Sequence, residues 1–400
     1  MNATLSIDRA GFDEAIGAAR SGEVTRQHAL ALIQARAGEE LRSLMEVAGG
    51  LRDRVKGRQV SFSKKVFIPL TNLCRDYCGY CTFRKDPAQP GAHTMTPDEV
   101  IAIAEAGARV GCKEALFSLG DRPEATFPEM RETLKRFGHR TTLSYLAEMC
   151  ERVLNETGLL PHANPGLMGR SDLERLRRSS PSVGLMLENA SDRMTAPGMP
   201  HDNAPDKRPS LRLKTIEEAG RLSIPFTTGI LIGIGETLAE RVDSLFAIRD
   251  MNDRYGHIQE VIIQNFRAKP DIPMRLHPEP PQSDLARTIA VARLVLGRVN
   301  VQAPPNLSDD DYPFLLDAGI NDWGGISPVT RDYINPEKPW PHIETLRSRT
   351  YAAGYELKER LSVYPEFVSR DEFLDAGPRA RVRAMAGEDG YAGGQHEKAF

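Results

Sequence analysis

The chain has 400 residues, 40% of them hydrophobic and 27% charged, with a formal net charge of −3. These values describe an ordinary globular protein with one large domain or two, and the near-neutral charge argues against nucleic acid as the main partner. Its apolar runs are shorter than the roughly 20 residues that a membrane span needs, and the N-terminus shows no signal peptide. Five cysteines, three of them clustered, fit a reducing cytosol, so we expect a cytoplasmic protein without a membrane partner. The two outside the cluster, Cys112 and Cys150, are expected to be small buried hydrophobes.

Residues 1–60 predict an N-terminal helical extension. Phe12, Ile16 and Ala19 recur at helical spacing, and Thr25 is a candidate N-cap. From residue 61 to residue 335, short β-like runs alternate with helical segments. Residues 336–400 predict a C-terminal helical extension, with helices near 343–351 and 357–363, followed by a polar tail.

Eight strand-like segments occur in the central region, at 66–70, 114–119, 158–162, 183–187, 225–232, 260–265, 300–303 and 320–323. Alternating strands and helices imply parallel strands joined by right-handed crossovers. Eight such units in about 270 residues have the size of a closed (β/α)8 TIM-type barrel, with a doubly wound open sheet as the alternative. Glycines, polar residues and cysteines fall just after the strands, which predicts a site at the carboxyl rim of the barrel.

The stretch KVFIPLTNLCRDYCGYCTFR at residues 65–84 holds Cys74, Cys78 and Cys81 in C-x3-C-x2-C spacing. Three thiolates on one short loop form a metal-ligand set rather than a disulfide framework, because their number is odd and the loop is too tight to pair two of them without strain. They can hold three irons of a 4Fe-4S cubane and leave the fourth iron open to an outside ligand. A structural zinc site is the alternative, and it would need a fourth ligand from elsewhere, such as His93.

An aromatic residue, Tyr80, precedes the last cysteine, and this arrangement resembles the radical S-adenosylmethionine (SAM) superfamily. The resemblance implies a barrel of the radical SAM kind and two cofactors, one 4Fe-4S cluster and SAM. In that superfamily the methionine amino and carboxylate groups of SAM chelate the open iron. An electron from the cluster then cleaves SAM into methionine and a 5′-deoxyadenosyl radical.

The candidate SAM-binding residues lie after successive strands. SLGD at 118–121 occupies the place of the superfamily's GGE-like segment with different letters, which implies contact between its carboxylate and the SAM ammonium. GILIGIGET matches the superfamily's G-x-I-x-G-x-x-E pattern, and its glycines would let adenosine approach the backbone closely. A carboxylate after the fourth strand could accept hydrogen bonds from ribose hydroxyls or a substrate amine; for each segment the structural alternative is a helix cap or tight turn. The predicted set is Tyr80, Asp121, Glu188, Gly229, Gly233, Gly235 and Glu236.

Three further rim segments, HANPGLM, QNFRAKP and INDWGG, are rich in amides and suit a polar heterocyclic or polyol substrate. Each of their polar side chains has a structural alternative, a buried group satisfied by its neighbours. The Pro/Gly-rich loop at 195–209, with His201, Asp206 and Lys207, is a candidate lid or a plain long connection. No side chain is assigned as the catalytic acid or base. The candidate substrate-binding residues are His162, Asn164, Gln264, Asn265, Arg267, Asn321 and Asp322.

Five strings narrow the resemblance to the 7,8-didemethyl-8-hydroxy-5-deazariboflavin synthase family, specifically its CofG-type subunit. In chain order they are KVFIPLTNLCRDYCGYCTF, FSLGDRPE, PHANPGLM, PFTTGILIGIGET and QNFRAKP. The resemblance implies an ammonia-releasing lyase of coenzyme F(420) biosynthesis, which converts the small molecule 5-amino-5-(4-hydroxybenzyl)-6-(D-ribitylimino)-5,6-dihydrouracil into the deazaflavin. Because the chain has one cysteine loop, a separate CofH-type enzyme should supply that adduct. A reductant protein such as ferredoxin or flavodoxin should supply the electron.

Alternatives remain open within and outside this class. A CofH-type hydroxybenzyl-adduct synthase or a menaquinone-pathway futalosine cyclase would share the fold and the cysteine loop. Biotin synthase is disfavoured, because the sequence has no further cysteine group suited to an auxiliary cluster. From a different class, an iron–sulfur electron carrier or a zinc-stabilised barrel is disfavoured by the glycine-rich end of the fifth strand, because a carrier needs no SAM cleft.

Overall fold

A closed barrel of eight parallel strands forms the centre of the computed structural model, which describes residues 9–308 and 311–393. Each strand pairs with the next in the chain, and β1 pairs with both β2 and β8, so the sheet closes on itself. The barrel prediction is confirmed, and the open doubly wound sheet is excluded. The strands are β1 (Gln59–Pro69), β2 (Glu114–Ser118), β3 (Leu160–Asn164), β4 (Ser182–Gly184), β5 (Phe226–Ile232), β6 (Ile258–Asn265), β7 (Asn300–Gln302) and β8 (Asp322–Ile326).

The strands of the barrel are covered on both faces, as parallel strands require. All seven residues of β5 are buried, for example, by the interior on one side and by helices on the other. In the β1–β2 ladder Lys65 lies opposite Glu114 and Pro69 opposite Ser118. This register brings the ends of the two strands together, so the loops that follow them meet at the rim.

The helices surround the barrel and extend it at both ends. None of the helices in the described ranges is long and apolar enough to cross a membrane. They are α1 (Arg9–Ser21), α2 (Arg26–Leu32), α3 (Glu39–Lys56), α4 (Pro97–Arg109), α5 (Pro128–Arg136), α6 (Thr142–Thr157), α7 (Arg170–Leu176), α8 (Pro209–Arg221), α9 (Leu238–Tyr255), α10 (Gln282–Leu296), α11 (Phe314–Asp317), α12 (Ile343–Ala352), α13 (Pro365–Val368) and α14 (Ala376–Met385).

Local signals set several helix ends. Thr25 begins α2 and Thr96 begins α4, and each threonine hydroxyl accepts a hydrogen bond from the backbone N–H three residues later in a capping box. Gly138, with a φ of +83°, separates α5 from α6. These three residues act as their types predict, because a threonine oxygen satisfies a free helix N–H and glycine tolerates a positive φ.

The helices of the N-terminal extension pack on the outside of the barrel. Helix α3 lies against α10, and α2 lies against α9. Phe12, Ile16 and Ala19 are buried in α1, so their helical spacing corresponds to one apolar face. The first barrel strand begins at Gln59, directly after α3.

One predicted helix is wrong. The segment near 357–363 begins as a ninth strand, β9 (Glu356–Arg360), which pairs in parallel with the first half of β1 from Gln59 to Ser63. The first half of β1 has an unpaired side that β9 fills, and this tertiary pairing overrides the helical tendency of Glu, Leu, Lys and Arg. The predicted helix before it is confirmed as α12, while residues 394–400 of the predicted polar tail lie outside the described ranges.

The two isolated cysteines are buried, as predicted. Cys112, before β2, is 4% exposed, and Cys150, within α6, is fully buried. Burial raises the pKa of the Cys150 thiol to about 12, so it stays protonated and inert at neutral pH.

Candidate active site at the carboxyl rim of the barrel

A cavity of about 240 Å³ opens at the carboxyl ends of the barrel strands, where the rim site was predicted. Its walls come from the loops after β1 and β2, from the ends of β3, β5 and β6, and from the 195–209 loop and the residues beside it. Ten residues predicted to bind metal, SAM or substrate line this cavity. They are Cys74, Cys78, Tyr80, Cys81, Asp121, Asn164, Glu188, Gln264, Asn265 and Arg267.

The cysteine loop is held in place by its neighbours on two sides. On one side the Cys74 Sγ accepts hydrogen bonds from the backbone N–H groups of Asp76, at 3.4 Å, and Asp121, at 3.2 Å. On the other side the N–H of Tyr77 donates to a carbonyl of the 195–209 loop at 2.9 Å, and the N–H of Gly79 does so at 2.8 Å. The loop therefore has a defined shape, which a multi-iron cluster requires of its ligands.

Gly120 is the point where the loop after β2 touches the cysteine loop. A Cβ at this position would lie 2.0 Å from the carbonyl oxygen of Leu73 and 2.6 Å from the Cβ of Cys74. We expect Gly120→Ala to displace Cys74 and lower the 4Fe-4S absorbance after reconstitution severalfold, although all three thiols remain. Gly17→Ala is the matched control, because nothing lies within 4 Å of its new methyl group. Full absorbance in Gly120→Ala would contradict the contact.

The chemistry of the thiols fits a site that binds a cationic group. Burial raises the pKa of Cys74 well above its usual value, and the nearby Asp76 carboxylate raises it further. Burial likewise raises the pKa of Cys78 to about 12. Without a cation these thiolates are unfavourable, and iron would supply the missing positive charge. Because all three cysteines of the loop line the rim cavity, they are the residues that would hold the cluster.

The spacing of the cysteines argues against a closed zinc site. In the part of the chain that the structure describes, one group of three ligating side chains has its donor atoms within 4.8 Å of one another, and it consists of Asp76, Asp121 and Asp206, not the cysteines. Zinc–sulfur bonds of about 2.3 Å would bring thiolates closer than that. His93 is exposed, lies outside the cavity and faces Glu99, with 3.1 Å between Nε2 and Oε1.

Asp121 lies at the wall of the cavity, beside Cys74. One carboxylate oxygen accepts a hydrogen bond from the Leu167 N–H at 3.0 Å. The other accepts no hydrogen bond among the described residues and lies 3.5 Å from the Nε of Arg122. Burial raises the pKa of Asp121 to about 7, and the neighbouring Asp206 carboxylate adds to the effect. Arg122 and Arg75 also pair with Asp206, so two arginines balance these acids.

Glu188 forms a buried ion pair on the opposite wall. Its Oε1 accepts a hydrogen bond from the Nζ of Lys207 at 2.5 Å, and the residue has a φ of +64°. Burial alone would raise the pKa of Glu188, but Lys207 and Arg212 outweigh it and lower the pKa. The cavity thus presents a carboxylate beside two cations, a combination that binds hydroxyl groups or zwitterions.

The 195–209 loop packs over the cysteine loop. The Tyr80 hydroxyl lies 3.0 Å from the Nε2 of His201, and Asp206 donates its N–H to Asp76 Oδ1 at 3.0 Å. Burial, followed by the charge of Lys207, lowers the pKa of His201 to about 3, so the imidazole is neutral. The candidate lid therefore forms part of the cavity wall in this structure.

The glycine-rich segment after β5 forms a turn that Glu236 stabilises. Both oxygens of Glu236 accept backbone hydrogen bonds, from the N–H groups of Gly233 and Ile234 at 2.8 Å each, and Oε1 also accepts from the Nε of Arg241 at 2.7 Å. Gly233 and Gly235 have φ values of +84° and +101°, which only glycine adopts readily. These residues, like Gly229, lie outside the lining of the rim cavity.

Gly229 has a packing role in the structure. A Cβ there would lie 2.3 Å from the carbonyl oxygen of Ile262 on β6. The glycine therefore permits close contact between β5 and β6. This packing role agrees with the structural alternative for the motif, and the contact with adenosine stays a prediction.

The predicted substrate residues fall into two groups. Asn164, Gln264, Asn265 and Arg267 line the rim cavity, although the Asn265 amide donates to the Leu307 carbonyl oxygen at 2.9 Å. The remaining three do not line it. His162 lies deeper in the barrel, in the lining of a second cavity. The placement of Asn321 and Asp322 at the rim is wrong, because β8 begins at Asp322 and both residues therefore lie at its amino end. His162 is buried with its Nδ1 2.7 Å from the Ser182 hydroxyl, Asn321 bonds to Asn300 and Arg293, and Asp322 pairs with Arg360.

Known proteins are similar to this chain over the region that contains the cysteine loop and β5. The Radical SAM superfamily model matches residues 68–248, which include the cysteine loop and β5. The 7,8-didemethyl-8-hydroxy-5-deazariboflavin synthase of Methanopyrus kandleri is 50% identical over 333 residues, covering 83% of this chain and 99% of that protein. The chain belongs to this family. The FO synthase of Streptomyces avermitilis is 52% identical over 370 residues, covering 90% of this chain but 43% of that protein, so the chain spans less than half of the longer relatives.

Two solved structures of other proteins share the fold of this family member. The FeFe-hydrogenase maturase HydG from Carboxydothermus hydrogenoformans has a TM-score of 0.72 at 18% identity, covering 93% of this chain and 83% of that one. Methylornithine synthase (PylB) has a TM-score of 0.66 at 19% identity, covering 86% and 97%. At these identities the likeness concerns the barrel architecture.

Several residues that line the rim cavity of this family member were not predicted from the sequence. Met186 precedes Glu188 by two positions, and the strand period of two could have pointed to it. Arg212 lies on α8, far from the cysteine loop in the sequence, and only the fold brings it to the cavity. Ile334 and Asn335 come from the segment after β8, which folds back over the barrel.

Proposed function

We propose that the chain is the radical SAM enzyme that converts 5-amino-5-(4-hydroxybenzyl)-6-(D-ribitylimino)-5,6-dihydrouracil into 7,8-didemethyl-8-hydroxy-5-deazariboflavin, with loss of ammonia. The observation that carries this proposal is the 50% identity to a relative of that name over 99% of its length. The amide-rich rim supports it, because a uracil ring and a ribityl chain need hydrogen-bond donors and acceptors.

The residues of the rim divide into cofactor and substrate groups. Cys74, Cys78 and Cys81 would hold one 4Fe-4S cluster. When bound, the cluster and SAM supply a 5′-deoxyadenosyl radical that removes a hydrogen atom from the substrate. Asp121 lines the cavity beside the cysteines, and one of its carboxylate oxygens accepts no hydrogen bond among the described residues, so it would accept from an ammonium group. On the facing wall the ion pair of Glu188 suits ribose hydroxyls.

Two protein partners belong to the proposal. The proposed reaction starts from a preformed adduct, so a CofH-type enzyme that makes this adduct is part of the proposal. Reductive cleavage of SAM needs an electron from outside the chain, so a ferredoxin or flavodoxin is the expected donor.

The proposal is tested by anaerobic reconstitution with iron and sulfide, followed by addition of SAM, dithionite and the adduct. We expect 5′-deoxyadenosine, ammonia and the fluorescent deazaflavin. If tyrosine and the ribityl-diaminouracil are instead joined into the adduct, the chain is a CofH-type enzyme. A reconstituted cluster that leaves SAM intact would point to an electron carrier and overturn the radical mechanism.

A further inference from the structure

A second cavity of about 160 Å³ lies below the first, inside the barrel. Its lining includes residues near the amino ends of the strands, such as Glu114 on β2 and Glu260 on β6. The two cavities share four lining residues and are therefore adjacent. The shared residues are Asn164, Gln264, Ile334 and Asn335.

Lys65 is the unusual side chain of this second cavity. The residue is 7% exposed, and in residues 9–308 and 311–393 its ammonium has neither a hydrogen bond nor an ion pair within 4.0 Å. Its contacts are aromatic, with Nζ 5.4 Å from the ring centroid of Trp340 and 5.8 Å from that of Phe67. The residue lines the cavity, so its ammonium needs a hydrogen-bond acceptor there. A ligand oxygen would supply that acceptor.

The barrel is shaped to accept the Lys65 side chain. At Gly325 on β8 a Cβ would lie 2.2 Å from Cε and 2.3 Å from Nζ of the lysine. The other buried cation of the cavity, Arg360, differs, because it pairs with Asp322 at 2.7 Å and Glu260 at 3.1 Å. Arg360 closes the floor of the barrel, whereas the Lys65 ammonium has no hydrogen-bond acceptor among the described residues.

The charges of the cavity indicate the class of ligand. Burial lowers the pKa of Lys65, the charges of Glu114 and Asp332 oppose this, and Arg360 adds to it. These acids would repel a phosphate or carboxylate ligand, and Lys65 and Arg360 would repel a cationic ligand. A neutral polyol has both donors and acceptors and meets neither repulsion. Thr227, Gln259 and Gln302 add further hydrogen-bonding groups.

We propose that Lys65 is a substrate-binding residue whose ammonium donates to the hydroxyl groups of the substrate's polyhydroxyl chain in the second cavity. The reacting ring then lies in the rim cavity beside the cysteines. This inference rests on the proposed function and deepens it, because it orients the substrate and names the residue that recognises the ribityl end.

The test compares two fluorescent probes by anisotropy titration on the reconstituted protein. One is 7,8-didemethyl-8-hydroxy-5-deazariboflavin, and the other is the same ring system with a methyl group in place of the ribityl chain. We expect Lys65→Met to weaken binding of the first probe about 10- to 100-fold, the range for a hydrogen bond to a charged donor. Binding of the methyl probe should change less than about twofold, because it lacks the hydroxyls that Lys65 would bind.

Three controls separate this role from a structural one. Lys64→Met changes the neighbouring lysine, whose Nζ donates to the Val110 carbonyl at 2.6 Å outside the barrel, and should affect neither probe. Gly325→Ala keeps the ammonium but displaces it, and should weaken the ribityl probe selectively. The melting temperature of Lys65→Met should stay close to that of wild type, because methionine fills similar space and no hydrogen bond or ion pair to the described residues is lost. A marked fall in melting temperature would instead assign Lys65 to the support of the barrel.

The outcomes distinguish the inference from the function on which it rests. If Lys65→Met binds both probes as wild type does, or loses both equally, the inference is wrong while turnover of the adduct by wild type still stands. If wild type binds neither probe and forms no deazaflavin, the proposed function itself fails, and the inference fails with it.

Discussion

We expect Cys74→Ala, Cys78→Ala and Cys81→Ala each to abolish cluster-dependent SAM cleavage. Each change removes one of the three thiolates that line the rim cavity, and in the part of the chain that the structure describes no other cysteine lines it. A cluster held by two protein thiolates would lose iron or become reducible only at a different potential. The measurements are iron content, the visible absorbance of the reconstituted protein and the yield of 5′-deoxyadenosine under dithionite.

Cys112→Ala and Cys150→Ala are the matched controls for the loss of a thiol. Both residues are buried away from the rim, so their variants should keep wild-type absorbance and SAM cleavage. Their melting temperatures should fall slightly, because removing one buried sulfur leaves a small void. Wild-type SAM cleavage by any of the three loop variants would refute the assignment of that cysteine as an iron ligand.

Arg360→Met should destabilise the barrel by about 3–5 kcal/mol, the cost of leaving buried partners without their counter-charge. Arg360 is 4% exposed, and it donates from β9 to Asp322 and Glu260 inside the barrel. Burial raises the pKa of Glu260 to about 7, which Arg360 opposes. Without the arginine this pKa should rise further above the unfolded value. The unfolded state then releases its proton first, so the stability of the variant should fall as pH increases between about 5 and 8.

Urea denaturation at pH 6 and pH 8 checks this result. Arg383→Met is the control, because that arginine is 45% exposed and pairs with Asp371 on the surface, where such pairs contribute about 0–1 kcal/mol. Arg360→Lys should retain part of the stability, since it keeps the charge but loses the paired geometry of a guanidinium. Equal stability of Arg360→Met and wild type at pH 8 would show that β9 does not brace the barrel through this side chain.

The cysteine loop shows why part of the site could be predicted. Cys74, Cys78 and Cys81 lie close together on one loop, so their spacing can be recognised directly in the sequence. Asp121, Glu188, Asn164 and Gln264 could be placed at the rim because alternation of strands and helices predicts a barrel, and residues that follow parallel strands meet at one end.

The same reasoning could not decide whether Glu236 binds the cofactor or stabilises a turn. It follows a glycine-rich strand end, which suits both cofactor binding and a tight turn. In the structure both of its oxygens are engaged by backbone N–H groups and Arg241. The difference depends on where a side chain points, and the period of a strand does not determine this at the turn beyond it.

The sequence by itself determined the closed parallel barrel, the three-thiolate loop and the position of that loop at the carboxyl rim. These properties depend on hydrophobic period and on residues close together in the chain, so they are local. The tertiary structure alone decided that β9 pairs with β1, that Arg360 closes the barrel floor, and that Lys65 lines the second cavity beside Trp340 and Phe67. The pairing of β9 with β1 joins segments nearly 300 residues apart, and Arg360 joins β9 to β8 and β6. The energies of these contacts arise from burial and charge pairing that exist only after the barrel has formed.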